Sequence, residues 1–541
     1  MASIGFNRHP KESVTRFTAE GFWGNDTLSD LLDAQADANP ERMFVQEADG
    51  RNFTFRQMAR ASIRFANALL ALGLTKGDVV AIQLPSSIEF LIAYFGVVRM
   101  GGILATLHMP YSDGELEPLL EFSGAKAVIC APADTKRDRP QAMDMLRDRL
   151  PELVHVIVAR GRAEGARFLR MDDMIATGAE TAVLDRPGAG DAALLCFTSG
   201  TSSAPKAVVH ASETLLADAR AYGKTIAATG RDHSMIAPPF THIFGLECVN
   251  NALCVGGSVV PLDQFTPRDF AGMIERCRPT IVYAAPAHLA ATLRDRELEN
   301  RDLGSVRQVI LGGSICPPVV AREFEGFLPN GRVGILFGMT ESLLVTQTRY
   351  GASAEERHGT VGQPVPGIEV RIVDPDENPL GVGEEGELQL RGFTIMSGYL
   401  RNDAANEKSF TADGWFRCGD TATQDSHGNI AITGRSSDMI NRGGIKINPA
   451  DVEAAICEHP DILQVALIPM PDPILGERIC AVLVTRESRP LTVAELSGFL
   501  TGQRITKMRH PEHIVIVEEM PMTPTRKIIK KKLVNLVFPP A

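Results

Sequence analysis

The run Phe197-Thr198-Ser199-Gly200-Thr201-Ser202-Ser203-Ala204-Pro205-Lys206 crowds hydroxyls, a glycine and one lysine into a short stretch. A loop of that kind can wrap phosphate oxygens with backbone N–H groups and hydroxyls while the lysine supplies charge. It follows the apolar run Ala192 to Cys196, which reads as a strand. It precedes a segment with Leu215, Leu216, Ala219 and Tyr222 on one helical face. Strand, hydroxyl-rich loop, then helix is therefore expected, which is phosphate-binding architecture. The Walker A pattern needs Gly before its lysine and Ser or Thr after it, and Pro205 and Ala207 stand there instead. Taken alone, such a loop reads equally as a flexible connection.

Its neighbours decide between the two. The segment resembles the phosphate loop of the adenylate-forming (ANL) superfamily, which includes acyl-CoA synthetases, peptide-synthetase adenylation domains and luciferases. Further segments occur in that family's order from about residue 25 to residue 533. The resemblance implies that Thr198, Ser199, Gly200, Thr201, Ser202 and Lys206 bind the phosphates of ATP. Phe337-Gly338-Met339-Thr340-Glu341 follows the apolar strand Val333 to Leu336, where α/β sheets present ligand-binding groups. By resemblance Phe337 and Gly338 lie near adenine, Thr340 bonds the α-phosphate and Glu341 holds Mg²⁺. A carboxylate is the hard donor Mg²⁺ takes beside phosphate oxygens. In Asp413-Gly414-Trp415-Phe416-Arg417-Cys418-Gly419-Asp420 the resemblance gives Asp420 both ribose hydroxyls, a charge-assisted arrangement. Arg435 then contacts ribose and phosphate, and Ser437 and Asp438 occupy the hinge of a mobile C-terminal domain. Gly443 and Gly444, within Arg442 to Ile447, resemble the loop lining the pantetheine tunnel of coenzyme A. Lys527, in Pro524-Thr525-Arg526-Lys527, matches the catalytic lysine that bridges substrate carboxylate and α-phosphate. The chain departs from the family at Ser203 and Ala207, commonly Gly, at Cys418, usually Thr, and at Arg526, usually Gly.

The reaction this implies has two halves. A carboxylate attacks the α-phosphorus of ATP and releases pyrophosphate; the thiol of coenzyme A then displaces AMP from the acyl-adenylate. The first half needs charge neutralisation and alignment more than a protein nucleophile. Within Pro238-Pro239-Phe240-Thr241-His242-Ile243-Phe244-Gly245, a His with Gly three residues on resembles acyl-CoA synthetases, where it borders the acyl pocket. His242 is accordingly counted with Lys527, Thr340 and Glu341 as catalytic. Gly313 joins the nucleotide-binding residues, and a pocket wall of His242, Gly312, Gly313 and Met339 implies a largely apolar acyl group. A medium-chain, alicyclic or aryl monocarboxylic acid is the expected substrate. The run Pro471 to Arg478 resembles both CoA ligases and aryl-acid adenylating enzymes. No carrier-protein domain with its Asp-Ser-Leu pattern precedes Ala541, which favours coenzyme A. Two rivals stand beside this reading: a ligase that loads a separate carrier protein, and a catalytically silent nucleotide-binding regulator.

These residues need elements to hold them. Over most of the first 430 residues strand-like runs such as Val79 to Leu84, Ala127 to Cys130 and Val154 to Ala159 alternate with helical patterns such as Glu89 to Met100. That alternation predicts an α/β fold with two parallel subdomains. Val370 to Val373 and Gly386 to Leu390 flank a turn-rich stretch and predict a small β subdomain. After it a helix over Pro449 to Glu458, strands at Val465 to Pro469 and Ile479 to Val484, and a helix over Val493 to Leu500 predict a mobile α+β domain. The expected division is 1–436 and 437–541.

Bulk properties agree. A chain of 541 residues outgrows a single core. Its net charge of −11 disfavours a nucleic-acid partner, the dense basic run Arg526 to Lys532 notwithstanding. Nine scattered cysteines without a C-x-x-C pair read as core residues of a reducing compartment. With no apolar leader at Met1 to Thr15, and the apolar stretch Phe90 to Leu107 broken by Arg99 and Gly101-Gly102, neither secretion nor a membrane span is expected. A cytoplasmic protein is expected, with a homodimer as its assembly.

Overall fold

The computed structural model describes residues 9–135, 137–161, 167–183, 185–198, 206–443, 445–486, 489–523 and 526–539, with backbone alone at Lys446 and Asp451. Ser199, Gly200, Thr201, Ser202 and Gly444 lie outside the described residues, as do Ser203 to Pro205 and Pro524-Thr525.

The fold is α/β. A seven-stranded sheet runs in the order Leu169–Arg170, His155–Val158, Ala125–Cys130, Val79–Gln83, Ile103–Thr106, Ala192–Thr198 and Lys206–Ala211. All its pairs are parallel except the last. A nine-stranded sheet runs through Gln363–Pro364, Leu343–Gln347, Arg332–Met339, Gln308–Leu311, Ile281–Ala284, His233–Ile236, Ser258–Pro261 and Met43–Gln46 to Asn52–Thr54. Its middle pairs are parallel and its margins antiparallel. Continuous Val, Ile and Leu runs suit strands covered on both faces. The helix Ile88–Arg99 is buried along its whole length, which its all-round apolar sequence requires. Its one cation, Arg99, donates to both oxygens of Asp33 at 2.7 and 2.8 Å.

Ile368–Val373, Gly386–Gly392, Phe416–Gln424 and Ile430–Arg435 form the antiparallel β unit. Beyond it a five-stranded sheet, led by the long hairpin Ile462–Asp472 and Gly476–Thr485, packs with the helices Pro449–Cys457, Val493–Gly502 and Lys530–Val537. The buried residues of its two hydrophobic clusters lie at Ile440 or beyond, whereas those of the other three lie at or before Ile430. Among the described residues, no buried apolar cluster is shared across that boundary. Among the described residues no helix is long and apolar enough to cross a membrane.

One local expectation is corrected. The hydroxyl-rich loop does not lead into a helix: Lys206 opens the strand Lys206–Ala211, which pairs antiparallel with Ala192–Thr198, and the helix Ser212–Thr225 begins only after it. Ala207, Val208 and Val209 are small or β-branched and fully buried, so they fit a covered strand better than a first helical turn. A whole strand therefore separates the helix N-terminus from Lys206 in sequence. The strand before Thr340 is also longer than its apolar run suggests, spanning Arg332–Met339.

That strand is pinned from both ends. Glu325, ending the helix Pro318–Glu325, accepts the Val333 N–H at 2.6 Å and a bidentate contact from Arg357, which is 2% exposed. Arg357 also donates to the Val333 carbonyl at 2.7 Å. Burial raises the Glu325 carboxyl, but Arg357, the Val333 amide and His358 outweigh it and bring it down to about 2. At the other end, a bulge at Phe337/Gly338 brings the Leu343 carbonyl to 2.1 Å from where a Gly338 Cβ would stand. Glu325→Ala should cost about 3 kcal/mol by leaving a buried guanidinium unpaired, read as a lower urea midpoint. Because the folded pKa is depressed, that stabilisation is complete above the ordinary 4.5 and fades as pH falls towards 2. Gly338→Ala should cost at least about 2 kcal/mol, since the obstruction is backbone and cannot rotate away; an unchanged thermal midpoint would refute the close approach.

Candidate active site

A cleft of about 1100 Å³ opens between the β unit, the nine-stranded sheet and the C-terminal sheet. Gly313, Phe337, Gly338, Asp420, Arg435 and Lys527 all line it, drawn from sequence positions more than two hundred residues apart. The volume suits a nucleotide and a small acid together.

Asp420 is its most constrained group. Asp420 and Arg435 are register partners on Phe416–Gln424 and Ile430–Arg435. Arg435 Nε donates to Asp420 Oδ1 at 2.9 Å, while the buried Oδ2 has no partner among the described residues. Burial raises the Asp420 carboxyl, and Arg435 and Lys527 oppose it. An uncompensated buried acceptor of this kind costs about 1–3 kcal/mol until a donor arrives. A pair of ligand hydroxyls would supply one.

Lys527 approaches from the C-terminal unit. Thr523 fixes its backbone, accepting the Lys527 N–H on Oγ1 at 3.0 Å and donating its own N–H to the Lys527 carbonyl at 2.8 Å. Burial and Arg435 lower the ammonium's pKa, while Asp420 and Asp438 oppose the shift. Ser437 and Asp438 also border the cleft. Beside them Asn448 Nδ2 bridges the Thr433 carbonyl at 2.7 Å and Glu385 at 3.1 Å.

Thr340 and Glu341 occupy the turn after Met339, outside the cleft lining but continuous with Gly338. The Tyr399 hydroxyl donates to Glu341 Oε1 at 2.8 Å, and the Lys206 ammonium sits 4.9 Å from the Tyr399 ring centroid. Thr198, register partner of Lys206, closes this group. His210 Nε2 donates to the Thr340 carbonyl at 2.7 Å; burial brings that imidazole down to about 4. Asp218 Oδ1 accepts the Leu344 N–H at 3.0 Å, just past Leu343, whose φ of 53° is strained for a bulky residue. Among the described residues no cluster of three or more His, Cys, Asp or Glu could cage a metal. A single carboxylate at Glu341 fits an Mg²⁺ that arrives on phosphate oxygens.

His242 caps the helix Ile243–Val255, its Nδ1 accepting the Phe244 N–H at 3.2 Å. Burial, then His108 and Lys527, push it down to about 3, so it is neutral at physiological pH. His108 stacks near it at 6.4 Å and bonds Thr241 Oγ1 at 2.8 Å. Gly245 is needed because the Pro239 carbonyl lies 2.4 Å from the site of a Cβ. His242, Gly312 and Met339 do not line the cleft itself, and Gly312 is covered by Leu336 and Phe244. Gly443 is not brought to the cleft either: it donates to the Leu475 carbonyl at 2.8 Å on the C-terminal sheet. The departure at Cys418 is absorbed by packing, its thiol donating to the Leu388 carbonyl at 2.9 Å with burial holding its pKa high.

Sequence reasoning missed Tyr399, His210 and Asp218. Asp218 had a legible signal, an acid three residues after Leu215 on the apolar face that Ala219 and Tyr222 continue. Tyr399 and His210 had none, because their partners are 58 and 130 residues away.

The model of the AMP-binding enzyme family matches residues 32–400, and that of the AMP-binding enzyme C-terminal domain matches residues 451–527. The salicyl-AMP ligase / salicyl-S-ArCP synthetase of Mycobacterium tuberculosis is 32% identical over 539 residues, covering 98% of this chain and 94% of its own. The medium-chain fatty-acid–CoA ligase of Escherichia coli is 30% identical over 518 residues, covering 95% and 91%. The crystal structure of the anthranilate CoA ligase AuaEII in complex with anthranoyl-AMP superposes with a TM-score of 0.87 at 26% identity, over 95% of this chain and 97% of that one. A cleft with these groups, family models spanning both units and end-to-end relatives place the chain in the AMP-binding enzyme family, within the adenylate-forming superfamily of AMP-forming ligases.

Proposed function

We propose that the protein is an AMP-forming carboxylate–CoA ligase acting on a medium-chain, alicyclic or aryl monocarboxylic acid. The observation that carries this reading is the meeting of Lys527 with the Asp420–Arg435 pair in one cleft. Residues 1–436 would bind ATP and acid, and residues 437–541 would carry the lysine across the hinge at Ser437-Asp438. The separation of the buried apolar clusters into those at or before Ile430 and those from Ile440 onward supports that division.

In the first half-reaction a carboxylate oxygen attacks the α-phosphorus of ATP, the new P–O bond forms, and the bond to pyrophosphate breaks. Asp420 would take the ribose hydroxyls on its unpartnered oxygen, with Arg435 holding the other. Phe337, Gly338 and Gly313 would border adenine; Thr340 and the loop from Thr198 to Lys206 would take phosphate oxygens. Glu341 would hold Mg²⁺, which neutralises phosphate charge, and Tyr399 would fix that carboxylate's direction. Lys527 would neutralise the charge gathering between carboxylate and α-phosphate, an electrostatic contribution strengthened by burial. In the second half the thiol of coenzyme A gives up its proton, its sulfur attacks the acyl carbon, and AMP leaves. Gly443 and Gly444 would enter only then, after the C-terminal unit turns about its hinge. The neutral His242 and His108 leave the acyl side without fixed charge, which suits an apolar acid.

Transfer to a carrier protein is the second reading. The likeness to an aryl-AMP ligase that names a carrier-protein product favours it. Pyrophosphate release across a panel of carboxylates, with and without coenzyme A, tests both: acyl-CoA detected by mass supports the ligase, and acyl-AMP that accumulates unchanged in coenzyme A supports the carrier reading. Preference for a dicarboxylate or an amino acid would overturn the substrate class. Lys527→Ala should slow adenylation by at least about 10²-fold yet leave conversion of preformed acyl-AMP to acyl-CoA largely intact. Equal loss of both would remove Lys527 from the adenylation step.

A further inference from the structure

Arg526 holds a backbone conformation that glycine adopts most readily: its φ is 65°, in the left-handed region that an L side chain adopts at a cost. Its side chain makes a contact that crosses between the two units. The guanidinium carbon lies 4.6 Å from the centroid of the Phe265 ring. Phe265 precedes the helix Pro267–Cys277 of the nine-stranded sheet's unit, with its ring 4.4 Å from His288 and 5.8 Å from Phe270.

The surroundings leave the ring face as the main attraction from the N-terminal side. Arg294 repels the guanidinium, Glu519 of its own unit attracts it, and burial weighs against its charge. His288 would repel it too if protonated, but His288 Nδ1 accepts the Ala285 N–H at 3.0 Å and burial, then Arg526, brings the ring down to about 3. A neutral His288 thus backs the ring that Arg526 covers. A cation over an aromatic face gains more where water is partly excluded, and both residues here are half-buried.

Arg526 is also tied rigidly to Lys527. Its N–H donates to the carbonyl of Thr523 at 2.8 Å, the same residue whose hydroxyl and N–H fix the Lys527 backbone. Anything that holds Arg526 against Phe265 therefore holds Lys527 in the cleft. We infer that Arg526 and Phe265 form a latch between the two units, with Arg526 the positioning residue that keeps Lys527 beside Asp420 and Arg435 for adenylation and that must let go before acyl transfer. The inference rests on the two-step reading above for its kinetic part and on the contact alone for its structural part.

The latch predicts reciprocal effects, because a contact that stabilises two segments together destabilises both when either partner is removed. By amide hydrogen exchange on the intact chain, Phe265→Leu should raise exchange at Arg526 and Lys527, and Arg526→Gly should raise it at the start of the helix Pro267–Cys277. In half-reaction assays both variants should slow carboxylate-dependent pyrophosphate release by about three- to tenfold, the range a half-buried cation–π contact supports. Conversion of supplied acyl-AMP to acyl-CoA should not slow. Arg526→Lys should restore part of the first rate, and the double variant should lose no more than either single one. Exchange that changes only around the substituted residue would overturn the latch, and so would equal loss in both half-reactions. If the unaltered protein releases no pyrophosphate with any carboxylate, the proposed function fails while the exchange result still decides the contact.

Discussion

A buried carboxylate with one oxygen answered and one unanswered sets the terms for the rest of the cleft. Asp420 is 3% exposed, its Oδ1 held by Arg435 and its Oδ2 without a partner among the described residues. Burying a charge is tolerated only when something repays the lost hydration. The antiparallel pairing of Phe416–Gln424 with Ile430–Arg435 brings one cation to it, and the C-terminal unit brings a second in Lys527. The fold thus concentrates positive charge around this carboxylate. The polar chemistry of the cleft depends on that imbalance being held in place by strands rather than by loops.

The turn from Gly338 to Leu344 has supports of its own. It is held by three groups that the cleft lining does not include: His210 on the Thr340 carbonyl, Asp218 on the Leu344 amide and Tyr399 on the Glu341 carboxylate. Together they maintain a positive φ at Leu343 and a backbone approach at Gly338 that would otherwise relax. Glu325 and Arg357 perform the same service at the start of the strand. The direction of Glu341 is therefore decided by the cores of two sheets.

Charge is distributed unevenly around the cleft. Lys527 and Arg435 line it, while burial keeps His242 and His108, which lie outside its lining, uncharged. The C-terminal unit has hydrophobic clusters of its own, and Asn448 and Arg526 are among the groups that anchor it to the rest of the chain.

Much of this was legible in the residue order. The alternation of buried strands and amphipathic helices announced the α/β fold because a parallel sheet covered on both faces demands continuous apolar runs. The change of texture after Val370 and the fresh start after Gly434 marked the β unit and the C-terminal sheet. The motifs around Glu341, Asp420, Arg435 and Lys527 stood out through their resemblance, in order and spacing, to the adenylate-forming superfamily, since each stretch alone reads as a turn or a solvated loop. What the sequence could not decide was which distant groups hold those motifs. Tyr399, His210 and Phe265 are ordinary residues until folding sets them against Glu341, Thr340 and Arg526. The strand at Lys206–Ala211 was missed for a related reason: its small and β-branched residues are compatible with several local structures, and only pairing with Ala192–Thr198 selects one. Sequence alone determined the chemical types and their order. Tertiary structure decided their partners, because hydrogen bonds and ring contacts form between residues near in space, whatever their separation along the chain.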